Sequence, residues 1–318
     1  MKRGGRRAAE MVVAGLTVIV ALLIATRWVD RTGRMPQLQS VFPVFGIAAG
    51  VLVAVAAALR SWRLCAATLV VALVPGTLAV RALVPDTVAA NASDDVVVAV
   101  NMEVGAADAG RIVRLLRERR ATILVLTECT PGALKRLEAA GLSDILPQQA
   151  GVAGPDIGGT IVRSTHRLTL RAANPGEPYP GGRFGDSPEV VVHAARDVTV
   201  RAVHPAAPVP ELADRWRADL AALASWRRAQ PGGIPLLMVG DFNASSAMPA
   251  YRAVADTMTD AHAAAGAGWV RTWPQGRAYP PFVQLDHVLT RDLGVVAAGT
   301  DAVPSTDHRA VWARIRVK

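Results

Sequence analysis

Three apolar runs without a single charge, about Met11–Thr26, Val41–Leu59 and Leu64–Val80, crowd the first ninety residues of this 318-residue chain. A helix that crosses a bilayer needs roughly 20 apolar residues, with a range of about 17–25. The second and third runs reach that range. The first does so once Trp28 and Val29 are included, with Arg27 extending its head group to the interface. The chain is therefore expected to open with three transmembrane helices (1–84), followed by a linker (85–94) carrying Pro85, Asn91 and Ser93, and one globular unit (95–318). A cleaved signal peptide is the rival reading of the first run, but two further runs follow and no small-residue cleavage site stands out. Core helices of a soluble domain are the rival for all three, and short basic loops between uncharged runs argue against it.

Charge follows the same division. Residues 1–90 hold ten Lys and Arg against three Asp and Glu, whereas the remainder holds 25 against 23. The basic surplus thus flanks the apolar runs, where it sets topology and meets anionic headgroups. Lys2, Arg3, Arg6, Arg7, Arg60 and Arg63 fall on one side, and Arg27, Arg31, Arg34 and Arg81 on the other. Six against four puts the N-terminus inside and everything after about Pro85 outside the cytoplasm. The near-neutral remainder does not demand a polyanion partner. The spans contain no acidic residue, which excludes a transporter reading. The two cysteines, Cys65 and Cys129, lie in different units and show no zinc spacing.

Beyond Asp95, short β-branched runs alternate with helical patterns. Strands are expected over Val96–Val100, Thr122–Leu126, Gly159–Val162, Glu189–His193, Val198–Val203, Pro235–Val239, Phe282–Leu289 and Ala310–Val317. Helices are expected over Gly110–Arg120, over Pro131–Ala140 behind an N-cap at Thr130, and over Leu212–Arg228. Asn101, Glu128, His204, Asp241, Asn243 and Asp307-His308 each sit at or just past the end of an apolar run, and Asp286 lies inside one. Strand ends are where an α/β fold gathers catalytic side chains from distant sequence. Singly, each has a plain alternative, since Asp after a strand forms turns and caps helices. Gly240-Asp241-Phe242-Asn243 is sharper, because side chains two apart on an extended backbone point the same way. Carboxylate and amide oxygens suit a hard divalent cation, Mg²⁺ or Mn²⁺. Phosphoryl transfer needs that charge neutralisation, a base for water, and donors for developing charge.

The order and local strings resemble the endonuclease/exonuclease/phosphatase superfamily across about Asp95 to Val317. The strings are Val100-Asn101-Met102-Glu103-Val104-Gly105, Leu126-Thr127-Glu128, Gly159 to His166, Val203-His204-Pro205, Gly240-Asp241-Phe242-Asn243, Leu285-Asp286-His287 and Ser305-Thr306-Asp307-His308. The resemblance implies a four-layer α/β sandwich, two packed β-sheets flanked by helices. It also implies metal-dependent phosphodiester or phosphomonoester hydrolysis. By it, Glu128 is the main metal ligand with Asn101 beside it and Asp307 assisting. Asp241 deprotonates the attacking water, Asn243 holds a phosphate oxygen, and His308, oriented by Asp286, stabilises the phosphorus centre. His204 binds phosphate or helps the leaving group depart. The sequence departs from the family at Thr306, where a serine commonly precedes Asp-His. The expected substrate is nucleic acid, or a phospholipid or other small phosphoester that membrane tethering would concentrate. Near-neutral charge weakens the nucleic-acid case. The non-enzymatic alternative is a membrane-bound binding protein on a hydrolase fold. His166, His193 and His262 read as structural, and His287 should face away from Asp286 across its strand.

Overall fold

The computed structural model describes residues 3–174, 177–179, 182–184 and 186–317; Lys2, counted above among the inside charges, lies outside them. The apolar runs fold into α1 (Arg3–Ala25), continued by a 3-10 turn Thr26–Trp28, then α2 (Met35–Ser40), α3 (Phe42–Ala58) and α4 (Trp62–Leu83). Among the described residues only two helices, Gly4–Trp28 and Trp62–Leu83, are long and apolar enough to cross a membrane, which corrects the expectation of three spanning helices. The middle run forms 17 residues of helix, about 25 Å of rise against a hydrocarbon core of ~30 Å. The cause is local. Backbone outside the helical region at Val41 separates α2 from α3, and Arg60 in the left-handed region (φ 54) stops the chain at the other end. α3 packs closely on α4, where a Cβ at Gly46 would stand 2.9 Å from Pro75. Only 22% and 17% of the two apolar windows are buried, and Met11, Leu22, Val70 and Leu73 are exposed. The Arg6 guanidinium donates to the Arg60 carbonyl at 3.3 Å, which places the N-terminus and the 59–61 turn at the same end of the bundle.

The second unit contains two six-stranded sheets packed face to face with helices outside, an α/β sandwich. Its strands are β1 (Asp95–Asn101), β2 (Ile123–Thr127), β3 (Gln148–Val152), β4 (Thr160–Ser164), β5 (Arg167–Ala172), β6 (Glu177–Tyr179), β7 (Gly182–Phe184), β8 (Glu189–His193), β9 (Asp197–Val203), β10 (Leu236–Asp241), β11 (Thr259–Asp260), β12 (Asp286–Arg291), β13 (Leu293–Asp301) and β14 (Ala310–Val317). One sheet runs β13-β14-β1-β2-β4-β3 and the other β11-β12-β10-β9-β8-β5; β6 and β7 pair as a separate ribbon. Alternate side chains of the central strands meet between the sheets: Val97, Val125, Val200, Val239 and Val311 are all sequestered there. The opposite faces carry helices. α5 (Ala109–Arg119), α6 (Pro131–Ala139) and α7 (Leu142–Ile145) cover the first sheet, and α8 (Ala213–Ala229) and α9 (Pro249–Ala255) cover the second. α10 (Ala261–Ala264) is a single turn beside β13. The N-cap expected at Thr130 is present, its hydroxyl accepting from Ala133 N–H at 3.2 Å.

Two features of topology place the site. β1 and β2 run parallel, as do β9 and β10, and the bond from Asn101 to Asp241 brings the C-terminal ends of these four strands to the same edge of the sandwich. β12 and β14 are antiparallel to β10 and β1, so they begin at that edge. The strand expected over Phe282–Leu289 is shorter at its start. It begins at Asp286, because the Thr272 hydroxyl accepts the Leu285 and Asp286 N–H groups, and Val283 instead forms an isolated bridge to Trp273.

Candidate active site

Asn101, Thr127-Glu128, Val203-His204 and Asp241 terminate the four parallel strands, while Asp286 opens β12 and His308 precedes β14. Gly240 makes the junction of β9 and β10 feasible. It holds φ 140, and a Cβ there would meet the Val203 carbonyl oxygen at 2.3 Å.

Asn101 is the hub. It is 2% exposed, and its amide nitrogen donates to Glu128 Oε1 and Asp241 Oδ2, both at 3.0 Å. Its oxygen accepts the Glu103 N–H at 2.9 Å. A turned amide would set an oxygen against two carboxylates, so the donor face is the one the site requires. Asn101 therefore draws the two carboxylates together. Glu128 Oε2 accepts the Val104 N–H at 2.9 Å, and Oε1 stands 3.5 Å from His204 Nε2. Burial works to raise the Glu128 carboxyl, but His204, Asn101 and the Val104 N–H outweigh it and hold the group at about 2. His204, in turn, is raised from its ordinary value: burial opposes the cation, and Glu128 more than offsets that. Its Nδ1 is buried with no partner among the described residues.

His308 lies between two acids. Nδ1 is 2.9 Å from Asp286 Oδ2, and Nε2 is 3.7 Å from Asp241 Oδ2. Burial disfavours its charge, yet Asp286 and Asp241 push its value up to about 10, so the imidazole is a cation at neutral pH. Asp241 is held above the usual carboxylate range, first by burial, with His308 pulling the other way. Asn243, in the left-handed region at φ 47, donates its N–H to Asp241 Oδ1 at 2.7 Å and its amide to the Pro205 carbonyl at 3.1 Å. The Trp216 indole donates to the Asn243 carbonyl at 3.0 Å.

Asp307 is placed differently from its neighbours. Its Oδ2 accepts from the Trp273 indole at 2.9 Å, and its Oδ1 lies 3.8 Å from His308 Nε2. Trp273 carried no signal in the sequence. Thr306 also has a clear part: its hydroxyl donates to the Asn101 carbonyl at 2.8 Å and accepts the His308 N–H at 3.1 Å. A threonine hydroxyl thus performs the bond that a serine would make. His287 points away from Asp286, as alternation requires. Its Nε2 reaches the Ala244 carbonyl at 2.9 Å while Nδ1 faces Asp260 and Tyr251, so it supports the turn after Asn243 from behind. His166 pairs with Asp95, His193 with Asp197, and buried His262 with the Gly299 carbonyl.

The donor set fits a divalent cation. Glu128 stays ionised and offers hard oxygen. Asp241, Asp286 and His308 also present ligand atoms within 4.8 Å of one another. His308 already has an acid on either side, so a cation there would have to displace its proton. The Glu128 position is the better fit. Cys129 next to it is buried, and burial raises its thiol to about 12, which leaves no thiolate nucleophile there.

Glu103, Val104 and Gly105 all adopt positive φ (46, 52 and 80), an unusual conformation for a β-branched residue, and this turn aims the Val104 N–H at Glu128. A Cβ at Gly105 would stand 2.3 Å from the Thr130 hydroxyl that caps α6. Gly105→Ala is expected to lower stability by about 1–3 kcal/mol, read as a drop in Tm. The pH profile should show two limbs. His308 is raised from 6.5, so its stabilising contribution is complete below about 6.5 and disappears as pH climbs toward 10. Glu128 is lowered from 4.5, so its contribution is complete above about 4.5 and disappears as pH falls toward 2. Thermal unfolding from pH 6.5 to 10 should show a smaller alkaline loss in His308→Gln than in the native chain.

A model described as the Endonuclease/Exonuclease/phosphatase family matches residues 98–308. A comparison with curated proteins finds no match. Among solved structures, humanized D. rerio TDP2 carrying 14 mutations is similar at 10% identity, covering 71% of this chain and 100% of that one, with a TM-score of 0.54. Truncated Caenorhabditis elegans TDP2 covers 70% and 98% at 14% identity and a TM-score of 0.54. The endonuclease/exonuclease/phosphatase from Bacteroides vulgatus covers 71% and 99% at 18% identity and a TM-score of 0.51. At these identities the likeness is one of fold.

Proposed function

The chain belongs to the endonuclease/exonuclease/phosphatase family, and from that premise we propose that it is a membrane-anchored phosphoester hydrolase dependent on a divalent metal. One observation carries the reading: Asn101, Glu128, Asp241 and His308, delivered by both sheets to one edge, are joined within hydrogen-bond or ion-pair reach. Carboxylates buried together with an imidazolium are costly unless they perform a task.

Glu128, with Asn101 and Asp307 nearby, would hold Mg²⁺ or Mn²⁺, which when bound neutralises phosphate charge and polarises the ester. Asp241, with its raised proton affinity, accepts the proton of the attacking water. As the water oxygen bonds to phosphorus and the ester P–O bond breaks opposite it, the His308 imidazolium donates to a non-bridging oxygen, held by Asp286. Asn243 keeps a second amide hydrogen for another phosphate oxygen. Cationic His204 gives a proton to the departing oxygen, and the unpartnered state of its Nδ1 leaves it free of a competing bond.

The division into an anchor (1–84), a linker (85–94) and a catalytic unit (95–318) belongs to the same proposal. The two long helices, which start at the same end of the bundle, anchor the chain in the bilayer, and the catalytic unit lies outside the cytoplasm. Outward apolar side chains on α1 and α4 and the basic residues at the bundle end formed by Arg6 and Arg60 support this. The substrate is a phosphodiester or phosphomonoester of nucleic acid, a phospholipid or a small molecule. The test is hydrolysis of plasmid DNA and of phosphatidylcholine vesicles by the full chain in detergent, with Mg²⁺, Mn²⁺ or chelator. DNA cleavage makes it a tethered nuclease, and headgroup release without nicking makes it a lipid phosphoesterase. Turnover that persists unchanged in both Asp241→Asn and His308→Gln would overturn the assignment. No turnover of either, with no metal-induced rise in Tm, would favour the binding protein.

A further inference from the structure

The segment between α1 and α2 touches the catalytic unit at two points, and both flank Asn243. The Arg27 guanidinium lies over the Phe42 ring, 5.2 Å from its centroid, and donates to the Ser246 carbonyl at 3.0 Å. In return, Arg252 donates to the Arg27 carbonyl at 2.8 Å, and also to the Ala247 carbonyl at 2.7 Å. Ala247 itself is 3% exposed and packs among the side chains of α1 and α3. Three residues further along the loop, Asp30 pairs with Arg217 at 2.6 Å. Arg217 follows Trp216, whose indole holds the Asn243 carbonyl. Asn243 thus sits between two segments that both bind residues 27–30. At the other end of the bundle's outlet, Gly268 N–H donates to the Ala82 carbonyl of α4 at 2.9 Å, four residues before Thr272, which fixes the start of β12.

A tether that only kept the enzyme near a membrane would need no such bonds. Flexible linkage suffices to raise effective concentration. Here the backbone of the turn after Asn243 is held from within by His287 and from outside by Arg27. A turn in the left-handed region at Asn243 is a strained conformation that its surroundings must enforce.

We propose that the anchor is part of the catalytic apparatus: residues 27–30 latch the Asn243–Arg252 segment and the start of α8, and Arg27 is a positioning residue for Asn243. The activity side of this inference rests on the hydrolase reading, whereas the latch itself does not. It predicts that loosening the latch frees the turn without unfolding either sheet.

The test uses the full chain in detergent micelles, comparing the native protein with Arg27→Ala, Arg27→Lys and, as a control for lost charge on the same loop, Arg31→Ala. Amide hydrogen exchange in peptides covering 243–252 should accelerate in Arg27→Ala, while β9 and β10 keep their protection and Tm holds; lysine should restore part of it. Unchanged exchange in 243–252, or equal acceleration in Arg31→Ala, overturns the latch. With bis(p-nitrophenyl) phosphate and Mn²⁺ as the probe, Arg27→Ala should lower kcat about ten- to hundredfold. That effect should shrink in an Asn243→Ala background, since coupled residues are not additive. Full additivity, or native kcat despite a loosened turn, overturns the positioning role. The exchange result decides the latch even if the native chain hydrolyses nothing, an outcome that would sink the hydrolase reading alone.

Discussion

Asp241→Asn is expected to lower kcat on a phosphodiester by about 10³-fold and Tm by only a few degrees. The side chain is nearly isosteric, and one oxygen remains to accept the Asn243 N–H. Three things are lost together. The water loses its proton acceptor, because an amide is not a base. His308 loses one of the two anions that hold its value near 10, so its cationic form is less secure. Asn101 loses a carboxylate, because an amide nitrogen facing its own NH₂ presents donor to donor. Steady-state kinetics on bis(p-nitrophenyl) phosphate, with unfolding measured on the same sample, checks the expectation. A variant within tenfold of the native rate would remove Asp241 from the chemistry.

Chelation should be as severe. EDTA is expected to reduce turnover to background, with recovery on adding Mg²⁺ or Mn²⁺. Glu128→Gln should raise the metal concentration for half-activity by at least about tenfold. A carboxylate held at about 2 stays ionised at any working pH, so it is a ready cation ligand; glutamine at the same position offers a neutral oxygen and leaves His204 without its counter-charge. Binding to the folded chain alone would also raise its stability, by about 2.7 kcal/mol at a hundredfold excess over Kd. Calorimetry with and without metal reads this independently of activity. Full turnover in chelator, or an unchanged metal requirement in Glu128→Gln, would overturn the metal assignment.

The strand ends were legible in the sequence, because β-branched runs stop where a polar residue appears. Asn101, Glu128, His204 and Asp241 all follow that rule, and Asp241-x-Asn243 carries the period of two as well. His287 was legible in orientation and not in partners: alternation turns it away from Asp286, but nothing local names Tyr251, Asp260 or the Ala244 carbonyl. Trp273 was invisible, since its contact to Asp307 spans 34 residues, across both β12 and β13. The apparent strand over Phe282–Leu289 shows the same limit. Apolar character continued upstream of Asp286, and only the hydroxyl of Thr272, 14 residues away, decided where pairing starts.

Hydropathy likewise located all three N-terminal runs but not the helix breaks that shorten the middle one, which depend on backbone angles at Val41 and Arg60. The sequence by itself determined the class of fold, the division of charge and the roster of polar residues at strand ends, because burial periodicity and composition are local properties. Tertiary structure alone decided which of those residues meet, that Asn101 presents its amide hydrogens to two carboxylates, and that the loop after α1 grips the turn beyond Asn243. Those outcomes depend on the parallel and antiparallel order of strands far apart in the chain, and no local pattern encodes that order.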